Sequence, residues 1–149
     1  MHKTLLTLMT LMLALGGAAL TAAAPAGGPE TGELTIHAIG FVQTRGHAVA
    51  KLFAAGDNVL KPGRWQLAKT IDGGAAVFNF AALPAGSYAV VVFHDQNDNL
   101  QIDHGLLGPS EPLGFSGGFV LSLLSGRPDF ERLQFEFKLP AQTLQVRVE

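Results

Sequence analysis

The sequence predicts an all-β fold: an antiparallel β-sandwich of about seven short strands with one long loop. Three observations carry that expectation. Apolar and polar residues alternate with a period of two over several short runs. Turn-forming residues separate those runs, with 18 glycines and 8 prolines in 149 residues. No run beyond the N-terminal segment carries a helical period. Apolar residues make up 48% of the chain and charged residues 15%, the balance of a globular body rather than a disordered one.

The elements follow in order. Met1-His2-Lys3 precedes an apolar run from Leu5 to Leu20 and the small residues Thr21-Ala22-Ala23-Ala24. A short positive start, an apolar stretch and a small-residue end make residues 1–23 a secretory signal peptide. A membrane anchor is the alternative, but Gly16-Gly17 weakens the run as a helix and no charges follow it. Residues 24–32 are expected to be a flexible lead-in and 33–149 a single sandwich domain. Glu33 to Val42 reads as a strand, with Leu34, Ile36 and Ala38 on one face and Thr35 and His37 on the other. Ala48 to Ala54 reads as a second strand, and Gly56 to Leu67 as a turn-rich connection containing Lys61-Pro62-Gly63.

Ala75 to Leu83 is expected to be a third strand, with Val77 facing opposite to Phe78 and Phe80. Ser87 to His94 is apolar on both faces and so reads as a central strand. Asp95 to Gly126 is rich in glycine, proline and asparagine and is read as a long functional loop, with a short element over Phe119 to Leu124. The alternating runs Leu133–Leu139 and Leu144–Val148, separated by Pro140-Ala141, read as a terminal hairpin.

Composition narrows the function. The absence of cysteine excludes disulfides, zinc–thiolate sites, thiol nucleophiles and a lipid-modified cysteine. A net charge of -2 gives no basis for binding nucleic acid or an anionic membrane. No segment after the signal is long and apolar enough to span a bilayer.

The informative stretch is His94-Asp95-Gln96-Asn97-Asp98-Asn99-Leu100-Gln101-Ile102-Asp103. Oxygen-bearing side chains recur at Asp95, Asn97, Asn99, Gln101 and Asp103. A hard cation such as Ca²⁺ takes six to eight oxygens, and a tight loop supplies them when alternate residues point inward. The spacing matches the start of an EF-hand loop, with the Gln101 carbonyl at the seventh position and Asp103 at the ninth. Leu100 stands where a glycine makes the sharp turn, and a leucine at positive φ costs about 1–2 kcal/mol. The twelfth-position glutamate is replaced by Leu106, and Glu111 is the candidate to return and complete the shell. No Lys or Arg falls between Lys69 and Arg127, so the acidic residues there lack a basic neighbour in sequence. With two principal carboxylate ligands the expected affinity is weak, on the order of 10⁻⁴–10⁻³ M. The competing reading is a polar loop in which Asp and Asn only favour turns.

Other signals are weaker. His94 and His104, with Asp95 and Asp103, make an alternative Zn²⁺ set. Gly114-Phe115-Ser116-Gly117-Gly118 matches the nucleophile elbow, but that motif needs a strand–turn–helix that the chain does not predict. Trp65 is expected to be half-buried beneath a loop rather than a stacking platform for a sugar. Carboxylate pairs suited to glycoside hydrolysis are unavoidable in so acidic a loop and carry little information.

Leu83-Pro84-Ala85-Gly86-Ser87-Tyr88-Ala89-Val90, then His94-Asp95 with Asn97, Asn99 and Asp103, then Gly108-Pro109-Ser110-Glu111-Pro112-Leu113-Gly114-Phe115-Ser116 and Pro128-Asp129-Phe130-Glu131 occur in that order. This pattern resembles the secreted bacterial proteins grouped as domain of unknown function 2141, over roughly residues 33–149. The resemblance implies export and a transthyretin-like or immunoglobulin-like sandwich; it implies no activity. The family pattern has glycine where Leu100 stands.

The functional expectation is therefore an exported, periplasmic or extracellular, non-enzymatic sandwich with a calcium-stabilised loop. It carries no other cofactor and acts as a structural or binding module toward an envelope protein or glycan. The alternatives are a small metal-dependent exported hydrolase using the same loop, with His94 as base, and a cation-free interaction module.

Overall fold

The computed structural model describes residues 30–149; the expected signal peptide and most of the expected lead-in lie outside the described residues. The first strand, β1 (Thr31–Ile39), begins two residues ahead of the expected start. It is followed by β2 (His47–Ala54), β3 (Trp65–Lys69), β4 (Ala75–Pro84) and β5 (Gly86–Asp95). The short strands β6 (His104–Gly105), β7 (Gly108–Pro109) and β8 (Leu113–Phe115) come next, then a single 3₁₀ turn at Ser116–Gly118. A one-turn helix α1 (Phe130–Leu133) leads to β9 (Phe135–Phe137) and β10 (Ala141–Arg147). Two principal sheets pack together as a β-sandwich, one ordered β10-β1-β4 and the other β3-β2-β5-β8, with β9 also on β5.

The period-two pattern dictates which residues meet between the sheets. Leu34, Ile36 and Ala38 are fully buried, as are Phe78, Ala50, Leu52, Val90 and Val92. Val77 points the other way and is 45% exposed. Strand β5 is buried on both faces because a second apolar cluster lies on its outer side. There Ala89 and Val91 pack with Phe53, Val59, Phe115 and Leu133. Asp129 caps α1, its Oδ1 accepting the Arg132 N–H at 3.0 Å.

Several expectations need correction. β3 starts inside the stretch read as a turn-rich connection; the Pro62-Gly63 turn masks a five-residue edge strand that pairs with β2. Its Trp65 is half-buried against Tyr88, with ring centroids 6.0 Å apart. β1 ends at Ile39, because Gly40 takes φ 99° and turns the chain, leaving Val42 94% exposed. The 95–126 segment is not one loop, since it contains β6, β7 and β8, while Phe119 to Leu124 forms no regular element.

The two C-terminal runs do not form a hairpin. β9 pairs antiparallel with β5, whereas β10 pairs parallel with β1 in the opposite sheet. Pro140 follows a cis peptide bond at this change of sheet. The sandwich is therefore not wholly antiparallel. Periodicity reports which face of a strand is buried, not which neighbour it takes.

The C-terminus joins the sheets. Leu113 and Glu149 exchange backbone hydrogen bonds at 3.1 and 3.0 Å, and Val148 N–H donates to the Ile39 carbonyl at 2.8 Å. Gly114 makes this approach possible, since a Cβ there would lie 2.3 Å from the Arg147 carbonyl oxygen.

Candidate functional site

The acidic loop leaves the end of β5, where His47 of β2 lies opposite Asp95. Gly46 abuts this end of the strand: a Cβ there would fall 2.0 Å from the Asp95 carbonyl oxygen, and its φ is 75°. A glycine is required on both counts. The Asp95 side chain is fully buried within the fold. Its Oδ1 accepts the Asn99 N–H at 3.1 Å and its Oδ2 the Leu100 N–H at 2.7 Å. A carboxylate holding two amides of its own loop fixes the turn. Leu100 takes φ 61°, the left-handed conformation for which a glycine is preferred, and is 47% exposed. Asp98 also takes φ 61°, and its Oδ1 lies 2.6 Å from His47 Nδ1.

Glu111 returns to the loop, as the sequence led one to expect, and is buried. Its Oε1 accepts the Gln96 N–H at 3.1 Å and its Oε2 the Asp103 N–H at 3.2 Å. Asp103 gathers the two amides: Asn97 Nδ2 donates to Oδ2 at 2.7 Å and Asn99 Nδ2 to Oδ1 at 2.9 Å. The Asn97 Oδ1 accepts the Asn99 N–H at 3.2 Å and the Asn99 Oδ1 the Gln101 N–H at 2.8 Å. Asp95, Asn97, Asn99, Asp103 and Glu111 thus form one connected cluster. Gln101 is exposed and joins it through its backbone N–H.

Each carboxylate oxygen of the cluster already has a hydrogen-bond donor, so the loop is satisfied by its own groups. An ionised carboxylate offers about four lone-pair sites, so these bonds leave it able to accept further. The donor set suits a hard cation: carboxylate and amide oxygens with no sulfur. Among the described residues, no group of three or more His, Cys, Asp or Glu side chains is placed to hold a metal ion. Binding at this loop would therefore depend on Asn97 and Asn99 turning their amide oxygens inward.

The zinc set does not assemble. His94 is 2% exposed, with its Nε2 2.7 Å from the Arg45 carbonyl oxygen and its ring edge-on to Phe41. His104 is exposed on β6.

Sequence reasoning missed Lys51, which lies on the outer face of β2 with its Nζ 5.0 Å from the centre of the Phe93 ring. Burial lowers its pKa, and the negative charges of Asp95 and Glu111 partly restore it. The site thus has a basic neighbour brought in from another strand. Its only sequence signal was a lone charge in the apolar run Ala48–Ala54.

Ser116 is no nucleophile elbow. Its hydroxyl is buried, accepts the Val90 N–H at 2.8 Å and donates to the Leu133 carbonyl at 2.6 Å. β8 and β9 share one edge of β5, pairing with Val91–Phe93 and Gly86–Tyr88 respectively. Ser116 serves the Val90 amide left in the gap between them.

No curated protein and no solved structure matches the chain. The family described as "Uncharacterized protein conserved in bacteria (DUF2141)" matches residues 36–145, which include the five-stranded sheet, most of the three-stranded sheet and the whole acidic loop. The chain therefore belongs to this bacterial family, domain of unknown function 2141.

Proposed function

We propose that the protein is an exported, non-enzymatic module of the bacterial cell envelope whose 95–111 loop is ordered by Ca²⁺. The ordered loop would present a surface to an envelope protein or a glycan. The observation that carries the calcium reading is the convergence of Asp95, Asn97, Asn99, Asp103 and Glu111 from two separate stretches of chain. Leu100 at positive φ supports it, because a calcium loop of this spacing places a glycine at that position to make its sharp turn. The N-terminal signal pattern supports export. The engagement of Ser116 and His94 with backbone groups supports a non-catalytic role.

The test is thermal melting of the chelator-stripped protein with and without millimolar Ca²⁺, beside an Asp103→Ala variant. The proposal expects calcium to raise the melting temperature of the parent and to leave the variant unmoved. An equal rise in both would remove the loop as the site.

A further inference from the structure

A strand at the edge of a sheet carries backbone groups that no neighbour takes, and proteins shorten, charge or cover such edges. Most edges of this sandwich are treated in that way. β3 has five residues and ends on Lys69, and β8 and β9 have three residues each. β10 ends on Arg147 and shares a cleft with the Gly117–Leu121 segment. β4 differs: it is the outer strand of the three-stranded sheet, ten residues long, with no charged side chain.

The surrounding hydrogen bonds fix which groups of β4 face outward. Ala75 exchanges both its backbone bonds with Asp72, each at 2.9 Å, so its N–H and C=O point away from β1. Successive residues of a strand turn these groups to opposite sides, so Val77, Asn79 and Ala81 also aim theirs outward. Val77 and Asn79 thus stand opposite His37 and Thr35 as non-hydrogen-bonded pairs. β1 agrees, since Ile39 accepts the Val148 N–H and the Glu33 N–H reaches the Pro140 carbonyl, both on the β10 side. Among the described residues, no backbone bond takes up the outward groups of Val77, Asn79 or Ala81. The row ends there, because Ala82 takes φ 56° and the pairing with β1 shifts register.

This row is its own complement. A second copy turned about a two-fold axis at Asn79 sets Asn79 against Asn79 and Val77 against Ala81. Each of these pairs can exchange both backbone bonds while Ala75 keeps Asp72. Val77 is 45% exposed, and Asn79 and Ala81 are exposed, so all three side chains are open to a neighbour. The two Asn79 amides share one face and can bond each other, and no like charges are opposed. The backbone row alone would accept any extended strand; the two-fold match of its side chains selects a second copy.

We infer that two copies of the chain associate through β4 about this axis, joining their three-stranded sheets into one continuous sheet. So short a junction makes a reversible dimer rather than a permanent one. The inference does not depend on calcium.

The chain has no cysteine, so a single introduced one reports which residues meet. Opposed residues of a hydrogen-bonded pair have Cα atoms about 5.5 Å apart, within reach of a disulfide. Under mild oxidation by copper phenanthroline, Asn79→Cys is expected to link into a covalent dimer. Val77→Cys, which would face Ala81, is expected to stay unlinked. In sedimentation velocity the parent should pass from monomer to dimer as its concentration rises. Asn79→Lys opposes like charges at the axis and should lower the association constant about fivefold or more, with an unchanged circular dichroism spectrum. The apolar N-terminal run is common to every variant, and association through it would link both cysteine variants alike. Equal linking of the two, no linking of Asn79→Cys, a parent that stays monomeric at every concentration, or undiminished association of Asn79→Lys overturns the inference.

Discussion

Replacing Asp95 by alanine removes the group on which the loop's backbone is hung. The side chain is fully buried and accepts two amide hydrogens, from Leu100 at 2.7 Å and Asn99 at 3.1 Å. A hydrogen bond to a charged acceptor contributes about 1.5–3 kcal/mol. The Leu100 amide loses the acceptor identified for it, while the Asn99 amide keeps the Asn97 oxygen at 3.2 Å. The loss should therefore be about one and a half such bonds, or roughly 2–4 kcal/mol. Leu100 is held at φ 61° against a preference of about 1–2 kcal/mol, and relaxing that turn returns part of the loss. The net expectation is about 2 kcal/mol.

Urea unfolding, followed by the single tryptophan Trp65, should show the midpoint falling by on the order of 1 M. Hydrogen exchange at Asn99 and Leu100 should accelerate at the same time. A midpoint change below about 0.3 M with both amides still protected would refute the reasoning, because another group would then be holding the turn.

Ser116→Ala should cost about 2–4 kcal/mol in thermal unfolding, since it leaves the buried Val90 amide and the Leu133 carbonyl unpaired; a loss below about 0.5 kcal/mol would mean water replaces the hydroxyl. Gly114→Ala should abolish soluble folding or cost about 3 kcal/mol or more, because its methyl meets the Arg147 carbonyl. Gly105→Ala, whose nearest neighbour would be 3.9 Å away, should be tolerated in the same expression and melting assay. Hydrogen bonds from Arg64 and then from the Ala54 N–H hold the Asp57 carboxyl below its ordinary 3.8. The folded pKa is the depressed one, so this contribution is present above pH 3.8 and is lost as pH falls through the folded value. Arg64→Met should raise the Asp57 pKa in an NMR titration; an unchanged value would contradict the pairing seen at 2.7 Å.

The parts of the fold that were legible are those where one residue type decides the outcome. Leu34, Ile36 and Ala38 alternate with polar neighbours and are buried together. The unbroken run Tyr88–Phe93 announces a strand covered on both faces. Pairing was not legible, because Leu133–Leu139 and Leu144–Val148 carry the same period whether they lie side by side or in opposite sheets. β8 is three residues long and owes its place to Gly114 and the chain terminus, which no local pattern records.

Of the acidic loop, the residues were legible and their roles were not. The spacing brought Asp95, Asn97, Asn99 and Asp103 together, but it did not reveal that Asp95 and Glu111 are both occupied by backbone amides. His47 reaches the loop from β2, and only register places it there.

Calorimetric titration of the chelator-stripped protein with Ca²⁺, beside Mg²⁺ and Zn²⁺, tests the central claim most directly. The account predicts saturable binding of calcium with a dissociation constant on the order of 10⁻⁴–10⁻³ M and no comparable zinc isotherm. A flat calcium titration would contradict it, and the loop would then be a turn held entirely by its own hydrogen bonds.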